Sequence, residues 1–390
     1  MNILFYLHRF PGFGGIEGVV ATLAKEFVRR GHSVSVLSHF SGDGTSDITQ
    51  LPTSVQTFTL PDRARLVSRE NRAFVRELVA RQKIDVVLFQ DSYAPIEGNV
   101  VGCGLNVPVV TVEHSEPFFC QTEAHPELYT FWRRVARAIR HGRFHLPYYY
   151  EGRRKRFLYD NSALYVLLST RFYGEFKAMA RLFDSRKLRA VSNPIAPELI
   201  PAHVDLDAKE DLMVFAATLA DGKGVMRALE ALRILRDSGR FPSGWRIQIL
   251  GDGPERGACE VFVRRHRLDF VELRGYEANP QPFFARAKIL LAPSSREGLP
   301  LVLFEAQANG CVPVAFSSYA SVFDIVHAGE DGLLVDAFDL GKYADAVHAL
   351  VSDAAKWRAM AQAATLAADR FAVNKIADQW ENLVKGVVRW

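Results

Sequence analysis

Short, continuously apolar runs alternate with helical patterns along most of the chain, and no other feature constrains its fold as much. Ile3–Leu7, Ser33–Leu37, Ile84–Phe89, Val107–Val112 and Leu164–Leu168 are mostly apolar and have the length of buried strands. Helical periodicity separates several of them over Ile16–Arg30, Leu66–Gln82 and Arg171–Phe183. A strand apolar at every position is buried on both faces, and a parallel sheet covered by helices supplies that burial. The pattern then repeats. Leu212–Ala217, Trp245–Leu250, Phe270–Leu273, Ile289–Ala292, Val312–Phe316 and Gly332–Val335 form a second series, with helical patterns over Val225–Asp237, Pro254–Arg267 and Leu301–Ala308. Between the series, Ser192-Asn193-Pro194-Ile195-Ala196-Pro197 carries two prolines that stop regular structure and stiffen a connector. The 390 residues therefore predict an α/β protein of two doubly wound, Rossmann-like domains, residues 1–192 and 193–372. The terminal helix over 373–390 is long enough to return to the first domain. Such sheets bind ligands at the carboxyl ends of their strands, and two facing each other create a cleft.

Composition excludes several classes. Hydrophobic residues make up 48% and charged residues 24%, which argues against a disordered chain. No apolar run reaches the length of a transmembrane helix, and the N-terminus reads as a strand, not a signal peptide. Cys103, Cys120, Cys259 and Cys311 are scattered without a CxxC pair, so neither a disulfide framework nor a zinc site is expected. A cytoplasmic protein with reduced thiols is the default. The net charge of +4 hides a local surplus: residues 131–160 hold nine Arg or Lys against two acids, so the remainder is net acidic. Phe131, Trp132, Phe144, Tyr148, Tyr149, Tyr150, Phe157 and Tyr159 are interleaved with these cations, and Arg133, Arg134, Arg137 and Arg140 fall at helical spacings. A basic aromatic helix suits an anionic membrane surface or a lipid-diphosphate acceptor. A solvated helix face is the plainer reading, and RNA the third; no nucleic-acid partner is expected.

Four loops are candidates for chemistry. Pro11-Gly12-Phe13-Gly14-Gly15-Ile16-Glu17 places glycines where a first strand meets its helix. Backbone N–H groups there approach an anion, or the segment is only a tight turn. Its spacing is not that of a dinucleotide fingerprint. Asp221-Gly222-Lys223-Gly224 follows the first strand of the second series and suits a phosphate, or is an exposed turn lysine. Gly251-Asp252-Gly253-Pro254-Glu255 reads best as a turn into a helix. The fourth, Ser294-Ser295-Arg296-Glu297-Gly298-Leu299-Pro300-Leu301-Val302-Leu303-Phe304-Glu305-Ala306, is the most specific. Glu305 lies inside an apolar helix, where an ionised carboxylate is costly without donors, and ligand hydroxyls supply donors. The amides near Gly298 and Leu299 hold a phosphate at the same helix end. Hydroxyls on one carboxylate and phosphates on a helix terminus describe a sugar-nucleotide site.

In order and spacing these residues resemble the retaining, nucleotide-sugar-dependent glycosyltransferases of family four, which have the GT-B fold. The resemblance covers nearly the whole chain. It rests on Gly14-Gly15-Ile16-Glu17 with Arg30-Gly31-His32-Ser33-Val34, on Glu297 and Glu305 with Gly298-Leu299-Pro300 between them, and on Gly310 with Pro313-Val314. Gly329-Glu330-Asp331-Gly332-Leu333-Leu334-Val335 and the linker Asn193-Pro194-Ile195 extend it. The resemblance implies two domains facing across a cleft and a role for each matching residue. Glu305 would bind the ribose hydroxyls, Glu297 the donor sugar, and Gly298, Leu299 and Pro300 the sugar and diphosphate. Lys223 would neutralise the leaving group, and Gly15 would approach the phosphates from the first domain. Tyr276 would mark where backbone groups read the base, and His114 would lie near the reacting sugar.

One departure stands out. The family has Gly-Arg about five residues before the lysine, and this chain has Ala217-Thr218. Thr218 therefore lines the phosphate loop without a second cation; Arg9 and Arg296 are candidate substitutes. The resemblance implies transfer from a nucleotide diphosphate sugar, a UDP-sugar by preference, to a glycan or lipid-linked hydroxyl in cell-surface polysaccharide synthesis. No metal and no other cofactor is expected. A peripheral position at the inner membrane face follows from the basic segment. The alternatives are a degenerate GT-B protein that binds a nucleotide sugar without turnover and, against the Glu297–Glu305 loop, a sugar-nucleotide epimerase.

Overall fold

The computed structural model describes residues 1–12, 14–42, 49–91, 94–118 and 146–388. They form two compact units, Met1–Pro194 with Val373–Trp390, and Ile195–Ala372. In the first unit the strands are β1 (Asn2–Arg9), β2 (Ser33–Phe40), β3 (Gln56–Thr59), β4 (Val86–Asp91), β5 (Val109–Glu113), β6 (Leu164–Leu167) and β7 (Leu188–Ala190). They pair in the order β3-β2-β1-β4-β5-β6-β7, each pair parallel. The helices are α1 (Gly15–Arg29), α2 (Arg69–Arg81), α3 (Leu146–Asn161) and α4 (Tyr173–Ala180). β4 and β5 are buried at every position, as apolar strands inside a covered parallel sheet must be.

The two outermost strands escape the apolar pattern. Gln56-Thr57-Phe58-Thr59 is largely polar and exposed, and Leu188–Ala190 is three residues long. Edge strands have one neighbour and need little of the apolar signature. The helix predicted over Arg171–Phe183 divides into a short 3-10 turn at Thr170–Phe172 and α4. Arg181, in the left-handed region at φ 53°, ends α4.

The second unit holds β8 (Glu210–Ala216), β9 (Arg246–Leu250), β10 (Val271–Gly275), β11 (Ala287–Ala292), β12 (Val312–Phe316) and β13 (Leu333–Val335). Their order is β10-β9-β8-β11-β12-β13, again all parallel. The helices are α5 (Val225–Asp237), α6 (Arg256–Arg265), α7 (Gln281–Arg286), α8 (Leu301–Ala308), α9 (Val322–Ile325), α10 (Leu340–Val351) and α11 (Ala354–Ala368). One core runs from Met213 and Phe215 on β8 through Leu229 and Leu232 on α5 to Val347 and Trp357 on α10 and α11. The closing helix, α12 (Val373–Val388), belongs to the first unit. It buries Ile376, Ala377, Trp380 and Val384 and meets α1 through ions: Arg30 lies 2.6 Å from Asp378 and 3.3 Å from Glu381, and His32 lies 3.1 Å from Glu381. Both sheets reverse strand order once, between β1 and β4 and between β8 and β11. Ligands of doubly wound sheets bind at such switch points.

Candidate functional site

In the second unit, the loops after β8 and β11 lie side by side at the switch point and are fastened to each other. Gly224 has φ 81°, and a Cβ there would fall 2.1 Å from Pro293 O, so only glycine fits. Arg227 donates from Nε to Pro293 O (3.0 Å) and pairs with Asp221 (3.1 Å). Ser295 N donates to Gly222 O (2.9 Å). These bonds set the 3-10 turn Asp221–Lys223 so that Lys223 Nζ reaches both carboxylate oxygens of Glu297 at 2.7 Å. Ser294 Oγ donates to Glu297 Oε1 at 3.0 Å. The lysine is 36% exposed and the glutamate 11%, so the ammonium faces solvent while its partner is largely enclosed.

Gly298, Leu299 and Pro300 lead from Glu297 into α8. Pro300 is its N-cap, no side chain caps the first turn, and that turn has no acidic residue. The positive end of the helix is therefore free of internal anions. Glu305 lies in the second turn between the buried Phe304 and Ala306. Its carboxylate is half-buried and makes no hydrogen bond or ion pair among the described residues, and burial pushes its pKa up to about 7. The group is partly open to solvent, and its oxygens have no protein donor to displace when a ligand's hydroxyls arrive. Thr218 is exposed on the loop after β8, and Tyr276, just past β10, is 56% exposed. Residues Gly251–Glu255 do structural work: Leu219 N donates to Asp252 O (3.0 Å) and Glu255 N to Leu219 O (2.9 Å), which fixes the Thr218 loop.

Gly15 and His114 belong to the first unit. Gly15 opens α1 behind the N-cap Gly14, is exposed, and has no side-chain cap above it. Glu17 sits in that first turn, and burial raises its pKa while the charge of Arg9 opposes the rise. His114 follows β5, with Nε2 2.8 Å from Gln90 Oε1. Gln90 Nε2 donates to Leu88 O (3.1 Å), so its carbonyl oxygen is the atom left for the imidazole. Nε2 of His114 then carries the hydrogen and Nδ1 keeps the lone pair. Burial lowers the pKa to about 4, against the charge of Asp91, and the ring is neutral at pH 7.

The described half of the basic segment changes how its charge is read. Arg154 and Lys155 do not add to a free surplus. Arg154 pairs with Asp91 (2.5 Å), Glu97 (2.8 Å) and Glu151 (3.2 Å), and Lys155 with Glu113 and with Glu151 (3.7 Å). Tyr165 also donates to Glu113 (2.8 Å). These buried pairs hold α3 to the carboxyl ends of β4 and β5. Arg153, Arg156 and Arg181 stay exposed, with Tyr149 and Phe157, around a cavity of about 1000 Å³ between α3 and α4. The guanidinium carbons of Arg153 and Arg181 lie 5.9 and 5.5 Å from the Tyr149 ring centre. Arg133, Arg134, Arg137 and Arg140 lie outside the described residues.

The structure thus brings Lys223 and Glu297 into contact and sets Gly298, Leu299, Pro300 and Glu305 on one loop and helix. Sequence reasoning gave no role to Ser294, Arg227 or Gln90. Ser294 stood inside the quoted motif; Arg227 lay four residues past Lys223, in the first turn of the helix that follows; nothing local marked Gln90. Among the described residues, no group of three or more His, Cys, Asp or Glu side chains is placed to hold a metal ion, and no helix is long and apolar enough to cross a membrane.

Two family models match the chain, "Glycosyltransferase Family 4" over residues 13–199 and "Glycosyl transferases group 1" over residues 210–353. An exopolysaccharide phosphotransferase of Streptomyces coelicolor is 35% identical over 205 residues, which is 52% of this chain but only 21% of that protein's length. A Campylobacter jejuni alpha-1,4-N-acetyl-D-galactosaminyltransferase, named for a diphosphate-undecaprenol-linked substrate, is 23% identical over 381 residues, 96% of each chain. The solved structure of HepE from Anabaena with UDP-glucose superposes with a TM-score of 0.75 at 17% identity, covering 99% of this chain and 100% of that one. With both halves matched in order, the chain belongs to the glycosyltransferases of family four and has the GT-B fold.

Proposed function

We propose that the protein is a retaining glycosyltransferase that moves a sugar from a UDP-sugar to a hydroxyl of a glycan or lipid-linked acceptor in cell-surface polysaccharide synthesis. One observation carries the reading: Lys223 clasps Glu297 at the switch point, beside an uncapped helix end and the unpaired carboxylate of Glu305. The HepE complex with UDP-glucose supports a UDP-sugar, and the C. jejuni relative's substrate supports a lipid-linked acceptor.

In this reading Glu305 accepts from the ribose hydroxyls, and Glu297 accepts from hydroxyls of the donor sugar. Tyr276 stands beside the backbone that reads the base. Lys223 and the amides of Gly298 and Leu299 meet the diphosphate. The anomeric C–O bond breaks, its electron pair leaves with the nucleoside diphosphate, and an oxocarbenium-like ion remains briefly. The acceptor oxygen attacks the same face, and its proton passes to the departing phosphate oxygen. Positive charge on the leaving group lowers this barrier, and Lys223 with the helix amides supplies it without a metal. His114, neutral, offers Nδ1 to a sugar hydroxyl. The cations and aromatics around the α3–α4 cavity, with residues 131–145, serve the acceptor or the inner face of an anionic membrane.

Thr218 favours a second reading, a binding protein without turnover, because the leaving group then meets one side-chain cation fewer. Release of UDP from a panel of UDP-sugars separates the two. Transfer predicts slow UDP release by the wild type, reduced about a hundredfold in Lys223→Ala. Binding without release for any donor and acceptor, with activity appearing in Thr218→Arg, would establish the second reading.

A further inference from the structure

Tyr319 is a buried side chain that the proposed chemistry leaves unused. It lies on the loop after β12, and it is 4% exposed. Its hydroxyl has no hydrogen-bond partner among the described residues. The neighbouring Ser318 donates from Oγ to Ser294 O at 2.7 Å, which fastens this loop to the one that carries Glu297. Burial above all raises the pKa of the Tyr319 hydroxyl, and the charges of Glu297 and Tyr343 add to the rise. Tyr343 is already committed: its hydroxyl donates to Val314 O (2.7 Å) and accepts from Ala292 N (3.0 Å). A buried hydroxyl without a partner is rare and costs stability. The arrangement makes sense if the partner arrives in another state of the site.

That state follows from the lysine. Lys223 is the cation assigned to the diphosphate, yet here both carboxylate oxygens of Glu297 hold it. One ammonium cannot serve both fully. When phosphates draw it away, Glu297 loses its strongest partner and keeps Ser294. We propose that Tyr319 is a positioning residue for Glu297: its hydroxyl donates to the carboxylate once Lys223 turns to the diphosphate, and so keeps Glu297 aimed at the donor sugar. A hydrogen bond to an ionised carboxylate is stronger than a neutral one, which suits a latch that must replace an ion pair. The inference rests on the role proposed for Lys223 and Glu297, but its first test does not depend on a ligand.

The first test is a double-mutant cycle on melting temperature without ligand. Tyr319→Phe in the wild-type background leaves the melting temperature unchanged or slightly raised, since the hydroxyl has no partner to lose. In Lys223→Ala, Glu297 already turns to Tyr319, so adding Tyr319→Phe lowers the melting temperature by several degrees. Equal effects of Tyr319→Phe in the two backgrounds would overturn the proposal. The second test titrates UDP-glucose. Tyr319→Phe weakens its binding about tenfold, while UDP alone, which lacks the sugar, binds as to the wild type. Equal binding of UDP-glucose by the variant and the wild type would also overturn it. A wild type that binds neither probe would refute the site reading, and the stability cycle would still decide whether Tyr319 answers to Lys223.

Discussion

Glu305 and His114 are two half-buried groups whose pKa values burial shifts in opposite directions, the acid up and the base down, each toward its neutral form. Glu305 holds its proton more tightly in the folded chain than in the unfolded one, because burial raises its pKa from the ordinary 4.5 to about 7. Between those values the folded state binds more protons, so this residue makes stability fall as pH rises through that window. Glu305→Gln removes the effect. The variant is expected to melt above the wild type at pH 8, and by a smaller margin at pH 5, in paired thermal scans. Nucleotide binding moves the opposite way, since the amide presents one acceptor where the carboxylate presents two oxygens to a diol. His114 is neutral because burial disfavours its charge, and Gln90 sets which nitrogen bears the hydrogen. Gln90→Glu places a carboxylate against the ring and raises its pKa. ¹⁵N chemical shifts of the imidazole then show an imidazolium at pH values where the wild type shows the neutral ring. Unchanged shifts would remove Gln90 from the account.

The element scale shows why some of the structure was legible in the sequence and some was not. Buried strands such as β4 and β11 announce themselves, because burial on both faces demands apolar residues at consecutive positions. β3 and β7 do not, since an edge strand needs neither length nor continuous apolarity. The Glu297–Glu305 loop was readable because a carboxylate inside an apolar helix is an anomaly at any level of description. Its contact with Lys223 was not readable, because 73 residues separate them and only the sheet order brings their loops together. The basic segment misled for a related reason. Charge counted along the chain does not reveal that Arg154 and Lys155 point inward to Asp91, Glu97, Glu113 and Glu151. Lys155 is 1% exposed, so removing its head leaves Glu113 charged and buried beside Glu151. Lys155→Ala is expected to cost about 3–5 kcal/mol of unfolding free energy in denaturant titrations. A cost below about 1 kcal/mol would mean that water reaches the cluster.

At the scale of the whole molecule, each unit places its candidate site residues at the carboxyl ends of a parallel sheet. The first unit is completed by a segment from the far end of the chain. α12 contributes Ile376, Ala377, Trp380 and Val384 to its core and Asp378 and Glu381 to Arg30, which caps the end of α1. Trp380→Ala is expected to lower the stability of that unit by about 3–5 kcal/mol. α12 is assigned to the first unit, so the second should still bind UDP in the same variant below its melting transition. Retained binding there would fit a nucleotide site built within Ile195–Ala372 alone, which is the central claim. Its most direct test is calorimetric titration of UDP into the wild type and Glu305→Ala. The account predicts a single UDP site in the wild type and no detectable binding in the variant. Equal affinity in the two proteins would contradict it.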